Sequence, residues 1–141
     1  MIKLTPSTID DLEQIQEWIA LDPYHQNEKK LKADWWLTGA KGSLLDFCLQ
    51  DDNGPTCYVR LEKENDLTRL HTQFAPEEVV SKRRLVMSML EAFKMTIPYL
   101  KSINMKGIIF ESTSPSLIAF MEKQGFKHVS GDDYLLMFED K

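Results

Sequence analysis

The chain has 141 residues, 17 Lys and Arg against 22 Asp and Glu, 43% apolar residues and 10% aromatics. That length suits one domain spanning 1–141, and a core with seven Phe, three Trp, four Tyr and seven Met excludes intrinsic disorder and needs no disulfide or metal to close it. A formal charge of −5 without a basic run excludes nonspecific nucleic-acid binding, which draws its affinity from neutralised phosphates, so no nucleic-acid partner is expected.

The opening MIKLTPSTIDDLEQ has no apolar stretch behind a positive region, so no signal peptide is expected. No window approaches the roughly 18 apolar residues of a membrane span, and no membrane partner is expected. Cys48 and Cys57 lie on either side of an expected tight turn. Free thiols in a reducing, cytoplasmic setting are the expectation, with a cross-strand pairing left open. His25 and His128 are isolated and no cysteine or histidine group has zinc spacing, so no metal site is expected.

Taken in chain order, Ile2 to Thr5 alternates and predicts a short strand. Pro6 stops it, and Ser7 or Thr8 caps a helix carrying Ile9, Leu12, Ile15 and Ile19 at three- and four-residue steps, ending near Asp22-Pro23. A weaker second helix is expected from Glu28 to Thr38, with Leu31 and Trp35 on one face, closed by Gly39 and Gly42. The period then switches to alternation. Ser43 to Gln50, Thr56 to Lys63 and Leu67 to Phe74 read as a three-strand antiparallel meander, with turns at Asn53-Gly54 and Glu64-Asn65-Asp66. Pro76-Glu77-Glu78 has the chemistry of a helix start, although Ser81 is a second candidate. The helix that follows buries Val79, Val86, Met89, Leu90, Phe93 and Ile97, and Pro98 ends or kinks it. Lys106 to Glu111 is a short apolar run suited to a buried strand, Pro115 starts a last helix ending at Gly125 as a left-handed cap, and Phe126–Val129 with Tyr134–Phe138 form a terminal hairpin.

That order, with Ile9-Asp10-Asp11-Leu12, the hairpin Asn53 to Leu61, and Met121-Glu122-Lys123-Gln124-Gly125-Phe126 set against a "YEKxGF" segment, resembles the GCN5-related N-acetyltransferase (GNAT) superfamily. The resemblance implies an α/β (α+β) fold with a mixed, mostly antiparallel sheet of six or seven strands and about four helices, in the order β-α-α-β-β-β-α-β-α-β-β. It implies acetyl-CoA as the acyl donor and an amine of a small molecule or protein as acceptor.

Two family features are absent. The pyrophosphate loop [RQ]-x-x-G-x-[GA], whose glycines let backbone amides cradle the diphosphate, falls on Ser81-Lys82-Arg83-Arg84-Leu85-Val86 and holds no glycine in either plausible register. Lys82, Arg83 and Arg84 either replace the lost amide contacts by direct charge or form a solvated helix face with Glu78 pairing to Lys82. The resemblance adds Phe74 and Ser114 to the expected cofactor contacts. The tyrosine that protonates the leaving thiolate is Met121 here, which has no proton to give, while Ser114 and Leu117 replace an asparagine and an alanine. Tyr134 is an alternative acid only if the last hairpin brings it near.

A base is expected at His71, which shares a face of its strand with Arg69 and Gln73, opposite Leu70, Thr72 and Phe74; a plain sheet-face histidine is the other reading. Glu62 and Glu111 are further acids near strand ends. In the Trp35-Trp36 pair, adjacent helical positions point about 100° apart, so one packs inward and the other is free to form a groove wall or a partner surface. The missing loop glycines and tyrosine also make the chain similar to small GNAT-like proteins of tailed phages, some of them virion-associated. Two functions therefore stand: an acyl-CoA-dependent N-acyltransferase with a degenerate cofactor loop, or an inactive GNAT-fold binding or structural module with a protein partner, in a host cytoplasm or a virion.

Overall fold

The computed structural model describes residues 1–25 and 28–138. Three α-helices and seven strands follow one another: β1 (Lys3–Pro6), α1 (Leu12–Leu21), β2 (Ser43–Asp51), β3 (Gly54–Glu64), β4 (Leu67–Phe74), α2 (Lys82–Ser102), β5 (Gly107–Glu111), α3 (Pro115–Lys123), β6 (Lys127–Ser130) and β7 (Asp133–Met137). The strands form one sheet in the order β1-β2-β3-β4-β5-β7-β6. Every neighbouring pair is antiparallel except β4 and β5, which run parallel. The β2–β3–β4 meander is the one expected from alternation, each strand within a few residues of its predicted span.

Period two divides the meander's side chains between two cores. On one face Leu49, Cys57, Val59, Leu61 and Leu70 pack beneath α2 and α3, with Met89, Phe93, Leu100 and Met121 closing over them. On the other, Cys48 and Tyr58 meet Ile15, Trp18 and Ile19 of α1, together with Ala33 and Trp36. The two cysteines thus sit on neighbouring strands, with Leu49 opposite Cys57, but face opposite cores. Both are free and buried, and burial pushes the Cys48 thiol up to about 12.

Two sequence expectations are corrected and a third is narrowed. Residues 28–38 do not form an α-helix; they run in turns around a single 3-10 turn, Ala33–Trp36. Some of their carbonyls accept short three-residue turn bonds, and others bond outward instead of along a helix ladder. Lys30 O accepts the Trp36 indole N–H, Trp35 O accepts Arg60 Nη1–H, and Trp36 O accepts Ser7 Oγ–H. The long helix starts at Lys82 and not at Pro76. Val79 and Val80 close a turn on Pro76 O, Val80 docks into the α1-side core, and the Ser81 side chain accepts the Arg84 N–H as an N-cap. Of the two outcomes expected at Pro98, it does not end the helix: it lies inside α2, which continues to Ser102. At the end of α3, Gly125 takes the positive φ of 105° expected of a left-handed cap.

Candidate active site

β4 and β5 pair only at Leu67↔Gly107, Thr68↔Ile108 and Arg69↔Ile109. Beyond that point each keeps only its outer neighbour: Thr72, Gln73 and Phe74 stay on β3, while Phe110 and Glu111 stay on β7. The two strands therefore diverge, leaving strand edges whose backbone groups have no sheet partner across the gap. A groove of about 1220 Å³ occupies this opening, above the usual 300–1,000 Å³ of a small-ligand pocket. It runs through the sheet. Leu70, Thr72, Phe74 and Phe110 line its middle, the starts of α2 and α3 wall one end, and the C-terminal end of α1 with Lys30 and Glu111 walls the other.

At the α2/α3 end, Lys82 stands in the first turn of α2, where the amides of Lys82 and Arg83 have no acceptor within the helix and the dipole is positive. Ser114 caps α3, its Oγ accepting the Leu117 N–H at 3.4 Å. Lys123, the last residue of α3, also lines the groove, and Glu77 and Glu78 add two acids from the turn before α2. The late start of α2 moves those acids out of its first turn but leaves them on the groove. Met121, where the resemblance implies a tyrosine, lines the groove and is 1% exposed, packed in the apolar core under α2 and α3.

Of the residues picked from sequence, the structure brings Phe74, Lys82 and Ser114 to the groove and leaves Arg83, Arg84 and His71 off its wall. Arg84 is held elsewhere: Nε and Nη2 donate to both Asp51 oxygens at 2.7 and 2.8 Å, tying the α2 start to the β2–β3 hairpin. That fork holds the Asp51 carboxyl down at about 2 and raises Arg84 above its ordinary value.

His71 does share a face with Arg69 and Gln73, as period two requires, but that face is covered. Its ring stacks edge-on against Trp35 at 4.8 Å, its Nε2 lies 2.6 Å from Glu62 Oε1, and its Nδ1 is buried without a hydrogen-bond partner among the described residues. Burial, with Lys30, Arg69 and Arg60 nearby, lowers it to about 2. The ring is 9% exposed and does not line the groove. Tyr134 does not line the groove either and stacks on Phe110.

The α1 end holds residues that periodicity did not single out. Asp22, the C-cap of α1, accepts the Tyr24 N–H on Oδ1 and the Gln73 side-chain N–H on Oδ2, at 2.8 and 3.0 Å. His25 stacks on Trp36 at 5.8 Å, and burial lowers its pKa. Lys30 and Glu111 face this end from the 28–32 turns and the tip of β5. Only Glu111, a carboxylate at a strand end, carried any signal in the sequence; a lysine in a turn carries none. No group of three or more His, Cys, Asp or Glu suited to a metal ion occurs among the described residues, and no helix among them is long and apolar enough to cross a membrane.

No protein-family model matches the chain, and no curated protein matches its sequence. Solved structures do match along its whole length. The ribosomal-protein-S18-alanine N-acetyltransferase of Escherichia coli superposes with a TM-score of 0.67 at 15% identity, covering 100% of this chain and 96% of its own. A GNAT-family acetyltransferase of Staphylococcus aureus gives 0.71 at 13% identity, covering 99% and 100%. A GNAT-family acetyltransferase of Brucella melitensis in complex with acetyl-CoA gives 0.66 at 14% identity, covering 99% and 90%. The chain has the GNAT fold.

Proposed function

We propose that the protein is an acyl-CoA-dependent N-acyltransferase that moves an acetyl group to an amine. The divergence of β4 and β5 past Arg69↔Ile109, opening a groove through the sheet, carries the reading. An unpaired strand edge binds an extended amide-bearing chain as an added strand would, and the pantetheine arm of acetyl-CoA is such a chain. Lys82 and the first-turn amides of α2 suit its diphosphate at one end, and the α1 end is open to an acceptor. The likeness to a structure holding acetyl-CoA supports the same donor.

Glu111, on the groove and on the same side as Lys30, takes the proton from the acceptor's ammonium, directly or through a water. The freed amine attacks the thioester carbonyl; the N–C bond forms, the nitrogen gives its second proton to water, the C–S bond breaks, and the thiolate leaves with the electron pair. With Met121 in place of a donor, solvent protonates it. A thiol of ordinary pKa, about 8.5, is a tolerable leaving group unaided, so losing the acid slows the reaction without forbidding it.

Calorimetry with acetyl-CoA tests the reading. Saturable micromolar binding is expected, weakened roughly tenfold or more by Lys82→Glu and less than about threefold by Arg84→Ala, whose guanidinium is committed to Asp51. Glu111→Gln should lower kcat and leave acetyl-CoA affinity unchanged. No saturation at millimolar acetyl-CoA would remove the enzyme reading and leave the fold as a binding module.

A further inference from the structure

We infer that the acceptor is a zwitterion, a free amino acid whose carboxylate is read by Lys30 while its ammonium is taken by Glu111; the inference rests on the acyltransferase reading and names the substrate class of that same groove. The acids at the α1 end, Asp22 and Glu111, suit any amine. Lys30 is what a plain amine does not explain. Three arginines are already engaged with partners: Arg69 pairs with Glu64 and Asp133, Arg84 with Asp51, and Arg60 donates to Glu62 and two carbonyls, although its Nε is buried without a partner among the described residues. Lys30 makes no ion pair within 4.0 Å among the described residues, although it lines the groove and is half-buried.

Its position is fixed from behind, because its carbonyl accepts the indole N–H of the fully buried Trp36 at 3.1 Å. Burial lowers the ammonium below its ordinary pKa, and Glu111 only partly offsets this. A cation partly stripped of water and lacking a close counter-ion gains most from an incoming anion. Asp22 has both oxygens engaged by Tyr24 and Gln73, so Glu111 is the acid left to meet the ammonium. Leu21 and Tyr24 stand exposed on the rim and favour an apolar side chain on the acceptor. A polycation would set a second positive charge against Lys30.

The test is acetyl transfer, followed by thiol release, to leucine, leucinamide and spermidine, with acetyl-CoA binding measured in parallel. The wild type should favour leucine over leucinamide by about tenfold or more in kcat/KM. Lys30→Ala should collapse that ratio to about threefold or less with the KM for acetyl-CoA unchanged, Lys30→Arg should keep it, and Lys30→Glu should turn it toward spermidine. Equal use of leucine and leucinamide by the wild type overturns the inference, as does an equal slowing of both by Lys30→Ala. Acetyl-CoA binding with no transfer to any of the three overturns it as well, while leaving the groove's donor site standing. Failure to bind acetyl-CoA strikes the underlying reading, a separate result. If Lys30→Ala does not fold, the wild-type ratio and Lys30→Arg decide.

Discussion

A histidine lowered to about 2 is a liability in mild acid, and His71 shows how burial sets that pH window. Its ordinary value is 6.5, so between 6.5 and about 2 the unfolded chain binds a proton there that the folded chain does not. Folding stability must then fall as pH drops below 6.5, by up to about 1.4 kcal/mol per pH unit for one proton. His71→Gln, which removes the titrating ring and keeps a polar neighbour for Glu62, should flatten the stability curve between pH 6.5 and 4, read from urea midpoints. An unchanged slope would mean that another group carries the acid limb. The same variant should retain acetyl transfer, because the ring does not line the groove. The face of His71 was legible from period two; its burial was not, because the cover comes from Trp35, in a segment whose helical pattern the chain does not follow.

Elements whose ends are set by one local group are where sequence and structure part. Ser81, and not Pro76, caps α2, and losing a serine cap costs about 1 kcal/mol. Ser81→Ala should lower stability by that amount and also weaken acetyl-CoA binding, since the cap orients the first-turn amides at the groove; an equivalent change at Glu77, outside the helix, should leave stability within about 0.5 kcal/mol. The sequence offered both starts, and only the docking of Val80 into the α1-side core selects between them. β5 is constrained differently. A Cβ on Gly107 would lie 2.4 Å from the backbone oxygen of Leu136, where nothing flexible can yield. Gly107→Ala should therefore cost about 1–3 kcal/mol and disturb the β4–β5 pairing that ends where the groove opens, seen as a lower melting temperature and weaker acetyl-CoA binding. The strands were readable from alternation and turn residues. Where their pairing stops was not, because divergence depends on which neighbour each strand keeps.

Across the whole molecule, Arg60 joins the sheet to the segment that forms the acceptor end. It is 1% exposed, donates to Trp35 O at 2.7 Å, Lys41 O at 2.8 Å and Glu62 at 3.3 Å, and lies over the Trp35 ring at 4.3 Å. Asp46, equally buried and raised above its usual carboxyl range by that burial, stands 4.0 Å away and accepts a hydrogen bond from Ser43 Oγ. Removing one partner of such a pair strands the other, which costs about 3–5 kcal/mol out of a total of roughly 5–15 for a domain of this kind. Arg60→Ala should therefore leave the protein marginal or unfolded. Arg60→Met with Asp46→Asn removes both charges and should recover much of the loss in urea midpoint. Arg60→Lys keeps the charge but not the fork that spans two carbonyls. It should fold, loosen the 28–42 segment, and raise KM for the acceptor, whose carboxylate Lys30 receives from that segment. The α2/α3 end is built from other elements, so acetyl-CoA affinity should not change. A parallel loss of donor and acceptor affinity would instead show that the two ends of the groove are coupled through the sheet.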